Sequence, residues 1–378
     1  MKVMIVVTHL LGAGHLTRAL TLAQAYHAAG DTVKIVSGGM PAPMLRIPPD
    51  MLLQLPPVAS DGVDFSTLLT EKGLPVDAAY MADRGRVLDA MYREFAPDVL
   101  ITELFPFGRR MLRNEFRALL EQAKAQTRPP LICASIRDIL APPSKPAKAA
   151  FAHEMAQAFY DAVLVHSDPA LTPLEASWPV TPELCKLLYY TGFVAPTPAG
   201  PHPDRIGAGE VIVSAGGGAV GAHVYEAALA AATLTPHPMR LLIGGQASED
   251  RAAALRERAP DCVIIEPARP DFRQMLTHAA ASVSLCGYNT ALDILQAGTP
   301  AVFVPFDEGG EVEQGLRARA LAQRAGMTMV MRDDLTAIRL AAAIDAVIAN
   351  PPKRDSAYRF TGATRTVEMT RTMREVDL

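Results

Sequence analysis

The chain has 378 residues, of which 49% are apolar and 20% charged, and a formal net charge of −4. That length suits two hydrophobic cores better than one, and the composition is that of an ordinary globular protein. Mild acidity with no long basic run argues against a nucleic-acid binder, and no stretch approaches the ~20 uninterrupted apolar residues of a transmembrane helix.

In chain order, Val3–Val7 is apolar, but it is short and followed by His9 and a glycine turn, so it reads as a first strand rather than a signal peptide. Strands are predicted at Val3–Thr8, Thr32–Ser37, near Leu52–Leu55, and at Asp98–Thr102, Leu131–Ser135 and Ala162–His166. Helical periodicity lies between several of them, over His15–Ala29, Arg84–Phe95, Arg109–Gln126 and Ala147–Asp161. The Pro-, Gly- and Asp-rich stretch Met40–Pro75 reads mainly as a long loop. The proline-rich run Phe193–Ile206 has almost no periodicity and reads as a linker. The alternation then restarts with strands at Val211–Ser214, Arg240–Ile243, Val263–Ile265, Ala281–Leu285, Ala301–Val304 and Thr328–Met331. Strand–helix alternation without polar–apolar alternation inside the strands predicts α/β domains with parallel sheets covered on both faces. The expected division is a first domain over 1–195, a linker over 196–207, a second domain over 208–352 and a final helical segment over 353–378.

Cys133, Cys185, Cys262 and Cys286 form no CxxC pair. Plain thiols in a reducing compartment, and hence a cytoplasmic protein, are expected, with no metal centre or cofactor.

Ligands of doubly wound sheets bind beyond the carboxyl ends of strands, so four turns matter. The first is Gly12-Ala13-Gly14-His15-Leu16-Thr17-Arg18. Gly14 lets a ligand approach the backbone, and the free amides of a helix start favour negative charge. The positive dipole end keeps the His15 imidazole neutral and fit to accept a proton. Thr17 stands where a dinucleotide fingerprint needs glycine, and no Walker lysine follows. An ordinary βα turn with a polar histidine is the alternative. The second turn, Gly216-Gly217-Gly218 after a strand and before a helix, has the make-up of a diphosphate cradle.

The third turn runs through Cys286-Gly287-Tyr288-Asn289-Thr290 to Asp293. Gly287 opens a helix start to phosphate, and Asn289 or Thr290 could cap it. Asp293 could accept bonds from vicinal hydroxyls or merely offset the helix dipole. At the fourth, the carboxylate and amide of Glu313-Gln314 suit sugar hydroxyls or a solvated helix start. Arg18 could meet an anionic acceptor or a phosphate, or form a salt bridge. Arg109-Arg110 with Phe105 and Phe107 could make a basic, aromatic edge for peripheral membrane contact.

Taken together, Gly216–Gly218, the run CGYNTALDILQAGTPAVFVPF at 286–306 and EQGLRARALAQRAG at 313–326 resemble the C-terminal domain of family 28 glycosyltransferases. That family includes the lipid II synthase and diacylglycerol glucosyltransferases. GAGHLTRALTLAQAYHAAG at 12–30 resembles its N-terminal domain, although Ala13-Gly14 replaces the doubled glycine of lipid II synthases and Cys286 replaces a usual serine. The resemblance implies a GT-B fold, two Rossmann-like domains facing each other across a cleft, with the last helix crossing back to the first domain. It implies a nucleotide-sugar donor, a UDP-sugar or similar, held without metal, with diphosphate at Gly216–Gly218 and Gly287–Thr290, ribose at Asp293, and sugar at Glu313 and Gln314. The loop carrying Ala268, Arg269 and Phe272 would flank the base. His15 would deprotonate a sugar, lipid-linked or small-molecule acceptor for inverting transfer, and Glu103, just past a strand end, would steady the imidazolium. The 12–30 segment is also similar to the UDP-sugar hydrolase of pseudaminic acid synthesis. Hydrolysis, 2-epimerisation of a UDP-sugar, and silent nucleotide-sugar binding are therefore the competing readings.

Overall fold

A computed structural model describes residues 1–10, 12–60, 67–215, 221–245, 247–308, 311–352 and 360–376. The chain divides into two compact units, Met1–Ala195 with Arg359–Leu378, and Pro196–Tyr358.

In the first unit the strands are β1 (Lys2–Val7), β2 (Thr32–Ser37), β3 (Leu52–Gln54), β4 (Val99–Glu103), β5 (Leu131–Arg137), β6 (Ala162–His166) and β7 (Leu188–Tyr190). Its helices are α1 (Gly14–Ala28), α2 (Ala78–Phe95), α3 (Arg113–Lys124), α4 (Pro146–Phe159) and α5 (Pro182–Cys185). Among the described residues the sheet has seven strands in the order β3-β2-β1-β4-β5-β6-β7, every neighbour pair parallel. Both faces are covered. Met4 and Val6 join one core cluster while Val3, Ile5 and Val7 join the other, and β5 divides likewise between Ile132, Ala134 and Ile136 on one face and Leu131 and Cys133 on the other. Successive side chains enter opposite cores, which is why these strands carry no polar alternation. Each fully buried aliphatic side chain contributes roughly 1.5–3 kcal/mol.

The second unit contains β8 (Val211–Ser214), α6 (Ala222–Ala231), β9 (Met239–Ile243), α7 (Ser248–Arg256), β10 (Val263–Pro267), α8 (Phe272–Leu276) and β11 (Ala281–Ser284). It continues through α9 (Tyr288–Ala297), β12 (Ala301–Phe303), α10 (Glu313–Leu321), β13 (Met327–Met329) and α11 (Ala337–Ala349). Its six described strands run β10-β9-β8-β11-β12-β13, again all parallel.

The last helix, α12 (Gly362–Val376), belongs to the first unit and packs on α1. Tyr26 and Thr370 hydroxyls bond at 2.8 Å, Arg371 pairs with Asp31 at 3.0 Å, and Arg374 donates to the Pro129 carbonyl at 2.9 Å.

In both sheets the chain reverses its direction of travel once, between β1 and β4 and between β8 and β11. Those are the topological switch points, where doubly wound sheets bind ligands beyond their carboxyl ends.

One correction concerns aromatic residues. Phe105 and Phe107 are not a membrane-facing edge. They are 0% and 3% exposed. Phe105 stacks on Phe116 at 4.5 Å, and Phe107 meets Trp178 edge-on at 5.4 Å. Aromatic pairing inside the core outweighs anything these rings could gain at a surface. Trp178 lies in the same cluster of the first unit, and its indole donates to His153 at 3.3 Å. Among the described residues no helix is long and apolar enough to cross a membrane.

Candidate functional site

At the first switch point, β1 leads through the glycine turn into α1, which places His15 on its first turn. The Ala13 N-cap makes no side-chain bond to the helix amides, which a helix start leaves without intrahelical partners, and Gly12 and Gly14 beside them are exposed. Glu103 is the last residue of β4, inside the strand rather than beyond it. Its Oε1 lies 2.8 Å from His15 Nδ1. The Glu103 carboxylate is 1% exposed, and the His15 side chain 14%.

Glu103 is saturated with donors. Arg18, one turn further along α1, donates to Oε1 through Nη2, and the Ser135 hydroxyl donates to Oε2 at 2.6 Å. Arg18 also lies 3.2 Å from His15 Nδ1. A guanidinium cannot accept, and the carboxylate contact is shorter. We therefore assign the imidazole proton to Nδ1, donating to Glu103, which leaves Nε2 as the basic nitrogen. Burial alone would raise the Glu103 pKa, but Arg18 and the bond to His15 hold it well below the usual carboxylate range. Burial lowers the His15 pKa to about 3, Glu103 opposes, and Arg109 and Arg18 lower it further. The pair is an ionised carboxylate and a neutral imidazole, the arrangement that accepts a proton and stabilises the resulting cation.

Of the two readings of Arg18, an anionic acceptor or phosphate and a salt bridge, the structure has the salt bridge: Arg18 is 3% exposed and directed at Glu103, because an ionised carboxylate buried in the sheet requires a cation beside it.

Sequence reasoning missed the groups behind Glu103. Ser135 is its register partner on β5, and the Ser135 hydroxyl lies 2.9 Å from Nε2 of His166, the last residue of β6. His166 Nδ1 lies 2.8 Å from Thr191 Oγ1. The available signal was a polar residue at or near the end of each otherwise apolar strand.

His166 is also held at about 3, by burial and then by Arg18. Both histidines therefore take up a proton on unfolding whenever the pH lies between about 3 and 6.5. The unfolded chain binds more protons there, so stability rises with pH, by roughly 1.4 kcal/mol per pH unit per histidine. It is complete above 6.5 and lost as the pH falls. Urea melts from pH 7.5 to 4.5 are expected to show that slope. A His15→Gln variant should remove about half of it, leaving the His166 share, and an unchanged slope would mean that His15 is already protonated in the folded protein.

In the second unit, Gly216, Gly217 and Gly218 lie outside the described residues. Gly221, just before α6, is described: its φ of +98° and its approach to Ala215, where an added Cβ would come within 2.3 Å, both demand glycine. At the other side of this switch point, Gly287 precedes α9. Its φ of −65° suits any residue, and an added Cβ would meet nothing within 4 Å. Glycine there leaves room over the helix start, where Asn289 and Thr290 are half-buried. No side chain caps the helix through Gly287. The Tyr288 ring is buried instead, with the Arg317 guanidinium 5.8 Å from its centroid.

Residues of α10 clamp this turn. Gln314 Oε1 accepts from the backbone amides of Cys286 and Phe306 at 3.0 and 3.2 Å, and Arg317 donates to the Cys286 carbonyl at 2.8 Å. Gln314 therefore spends its carbonyl on the turn, leaving its amide hydrogens for a ligand. Glu313 is 5% exposed. Asp293 accepts from Arg273 Nε at 2.8 Å. Burial raises its pKa, with Arg273 opposing. A ribose at Asp293 would share the carboxylate with Arg273, which also holds Gln296 and the Thr197 carbonyl, both at 2.8 Å.

Ala268 is exposed, with its amide donated to Ile243 at 2.8 Å. Arg269 makes a two-bond pair with Asp271 at 2.9 and 2.6 Å, and Phe272 opens α8, half-buried. The Arg273–Asp293 bond joins that helix to α9, so Phe272 and Asp293 share one neighbourhood.

Residues 215–368 match the glycosyltransferase family 28 C-terminal domain, which bears out the resemblance seen in 286–306 and 313–326. A UDP-N-acetylglucosamine–N-acetylmuramyl-(pentapeptide) pyrophosphoryl-undecaprenol N-acetylglucosamine transferase of Brucella anthropi is 32% identical over 146 residues, covering 37% of this chain and 39% of that protein. The enzyme of the same name from Rhodospirillum centenum is 27% identical over 161 residues, covering 40% and 41%. The chain thus spans about two fifths of the length of the curated relatives it matches. The fold is that of GT-B glycosyltransferases. Acinetobacter baumannii MurG superposes with a TM-score of 0.62 at 16% identity, covering 98% of this chain and 99% of that one. The calicheamicin glycosyltransferase CalG4 gives 0.61 at 15% identity, covering 99% and 97%.

Proposed function

We propose that this protein is a glycosyltransferase that moves a sugar from a UDP-sugar to an acceptor hydroxyl with inversion. The observation that carries the reading is the His15–Glu103 pair at the β1/β4 switch point, in a chain whose second unit holds a family 28 C-terminal domain. In this reading His15 Nε2 takes the proton of the acceptor hydroxyl as its oxygen attacks the anomeric carbon. Glu103 stabilises the imidazolium, and the nucleoside diphosphate leaves from the opposite face. The start of α9 meets the charge developing on the diphosphate, supplying the stabilisation that a metal ion would otherwise give. Asp293 holds the ribose, Glu313 and the Gln314 amide hold the sugar, and Ala268, Arg269 and Phe272 flank the base. Gly14 and Gly216–Gly218 complete the diphosphate contacts. The four cysteines form no disulfide with one another, which suits a cytoplasmic site of action.

The relatives named above act on a UDP-sugar and a lipid-linked acceptor, so the test includes both. The full chain is incubated with UDP-, GDP- and dTDP-sugars, with and without a bacterial lipid and polysaccharide extract, and free nucleoside diphosphate is measured. Release from a UDP-sugar that depends on the extract is expected. Equal release without extract would identify a hydrolase, and neither release nor binding of any donor would overturn the reading.

A further inference from the structure

We propose that Ser135, His166 and Thr191 form a directed hydrogen-bond relay that positions Glu103, and that its direction is set by the charge on Glu103. The proposal deepens the reading of His15 and Glu103 as a proton-accepting pair and rests on it only for its kinetic consequence.

The argument is a count of hydrogens. Ser135 Oγ lies 2.6 Å from Glu103 Oε2 and 2.9 Å from His166 Nε2. A serine hydroxyl has one proton. Two oxygens at 2.6 Å, one of them an ionised carboxylate, need that proton between them. Ser135 therefore accepts from His166, so His166 carries its proton on Nε2. Its Nδ1 must then accept, and Thr191 Oγ1, 2.8 Å away, supplies the hydrogen. Every donor of this chain, on β5, on β6 and just after β7, points towards Glu103. His166 and Thr191 are 0% exposed, as is Ser135, so no water is required to complete the chain.

The same distances permit the opposite sense. Thr191 Oγ1 also lies 2.8 Å from the Gly192 carbonyl. If Glu103 is replaced by glutamine, Arg18 and His15 retain the amide oxygen, and the amide nitrogen faces Ser135. The serine must then accept from it and donate to His166 Nε2. His166 moves its proton to Nδ1, and Thr191 turns to Gly192. Ser135, His166 and Thr191 touch no reacting atom in this scheme. They are positioning residues, acting through Glu103 on the tautomer of His15.

The test is nitrogen NMR on the full chain with ¹⁵N-labelled histidine, His15 and His166 being assigned by single substitution. It needs no substrate, so it stands even if no transfer is found. His166 is expected as the Nε2–H tautomer in the unsubstituted protein and as Nδ1–H in Glu103→Gln. Ser135→Ala removes one donor from Glu103, strengthens its bond to His15, and should move the His15 Nδ1–H proton downfield. His166→Leu should do the same, His166→Gln should not, and Ser135→Ala with His166→Leu should add nothing beyond either alone. An Nδ1–H tautomer of His166 in the unsubstituted protein would overturn the relay, as would an unmoved His15 signal in folded Ser135→Ala. Where transfer is measurable, Ser135→Ala should lower kcat and leave the donor KM unchanged, and a change confined to KM would also count against it.

Discussion

Replacing His15 with alanine is expected to lower kcat for transfer by roughly 10²- to 10⁴-fold, with the KM for the nucleotide sugar little changed. The side chain removed sits in the first unit, on the first turn of α1, whereas the expected donor contacts, Gly14 apart, belong to the second. Loss of the base should therefore be felt in the chemical step. Glu103→Gln should approach the same deficit. It preserves volume and an acceptor for Nδ1–H but cannot balance an imidazolium, and it leaves Arg18, also buried, without its counter-charge. Because the two side chains act as one unit, the double variant should be little worse than His15→Ala. Steady-state kinetics with saturating acceptor provide the measurement. Near-normal kcat in a folded His15→Ala protein would remove the histidine from the mechanism, whatever the donor proves to be.

Much of this arrangement was legible in the chain. Runs such as AVLVH and VIVS are strands buried on both faces, and they lie at Ala162–His166 and Val211–Ser214. The glycine turns before His15 and Tyr288 stand out because each follows such a run and precedes a helix. Local patterning could not supply what depends on strand order. Ser135 is 32 residues from Glu103, and only the sequence of neighbours β4-β5-β6 brings their ends side by side. Phe105 and Phe107 were misread for the same reason. A pair of aromatics beside two arginines looks like an exposed edge until α3 and the 173–182 segment arrive with Phe116 and Trp178. The short strand β7 escaped because LYY offers too few residues to show a period. Gln314 was legible as polar at a helix start, but not the two backbone amides that claim its carbonyl.

The second large effect concerns stability, and it follows from Arg84. This arginine of α2 is 0% exposed and ties together the loops beyond three neighbouring strands. It donates to Thr8 Oγ1 after β1 at 3.1 Å, to the Gly38 carbonyl after β2 at 2.9 Å, and to the Pro56 carbonyl after β3. Its Nε pairs with Glu115 of α3 at 2.7 Å. Burial raises the Glu115 pKa while Arg84 opposes, so the carboxylate depends on this partner. Removing one member of a buried pair typically costs about 3–5 kcal/mol, here with two carbonyls also left short of a donor. Arg84→Met is therefore expected to lower the melting temperature by roughly 6–20 °C. Adding Glu115→Met should recover a large part of that loss, since the stranded carboxylate goes with it. Gly38→Ala should destabilise by a separate route, because a Cβ there would lie 2.0 Å from an Arg84 nitrogen and 2.3 Å from Thr8 Oγ1. Thermal melts of the three variants separate the contributions. If Glu115→Met fails to rescue Arg84→Met, the cost lies in the three loops, and Arg84 matters chiefly as the brace that holds the carboxyl ends of β1, β2 and β3 in place.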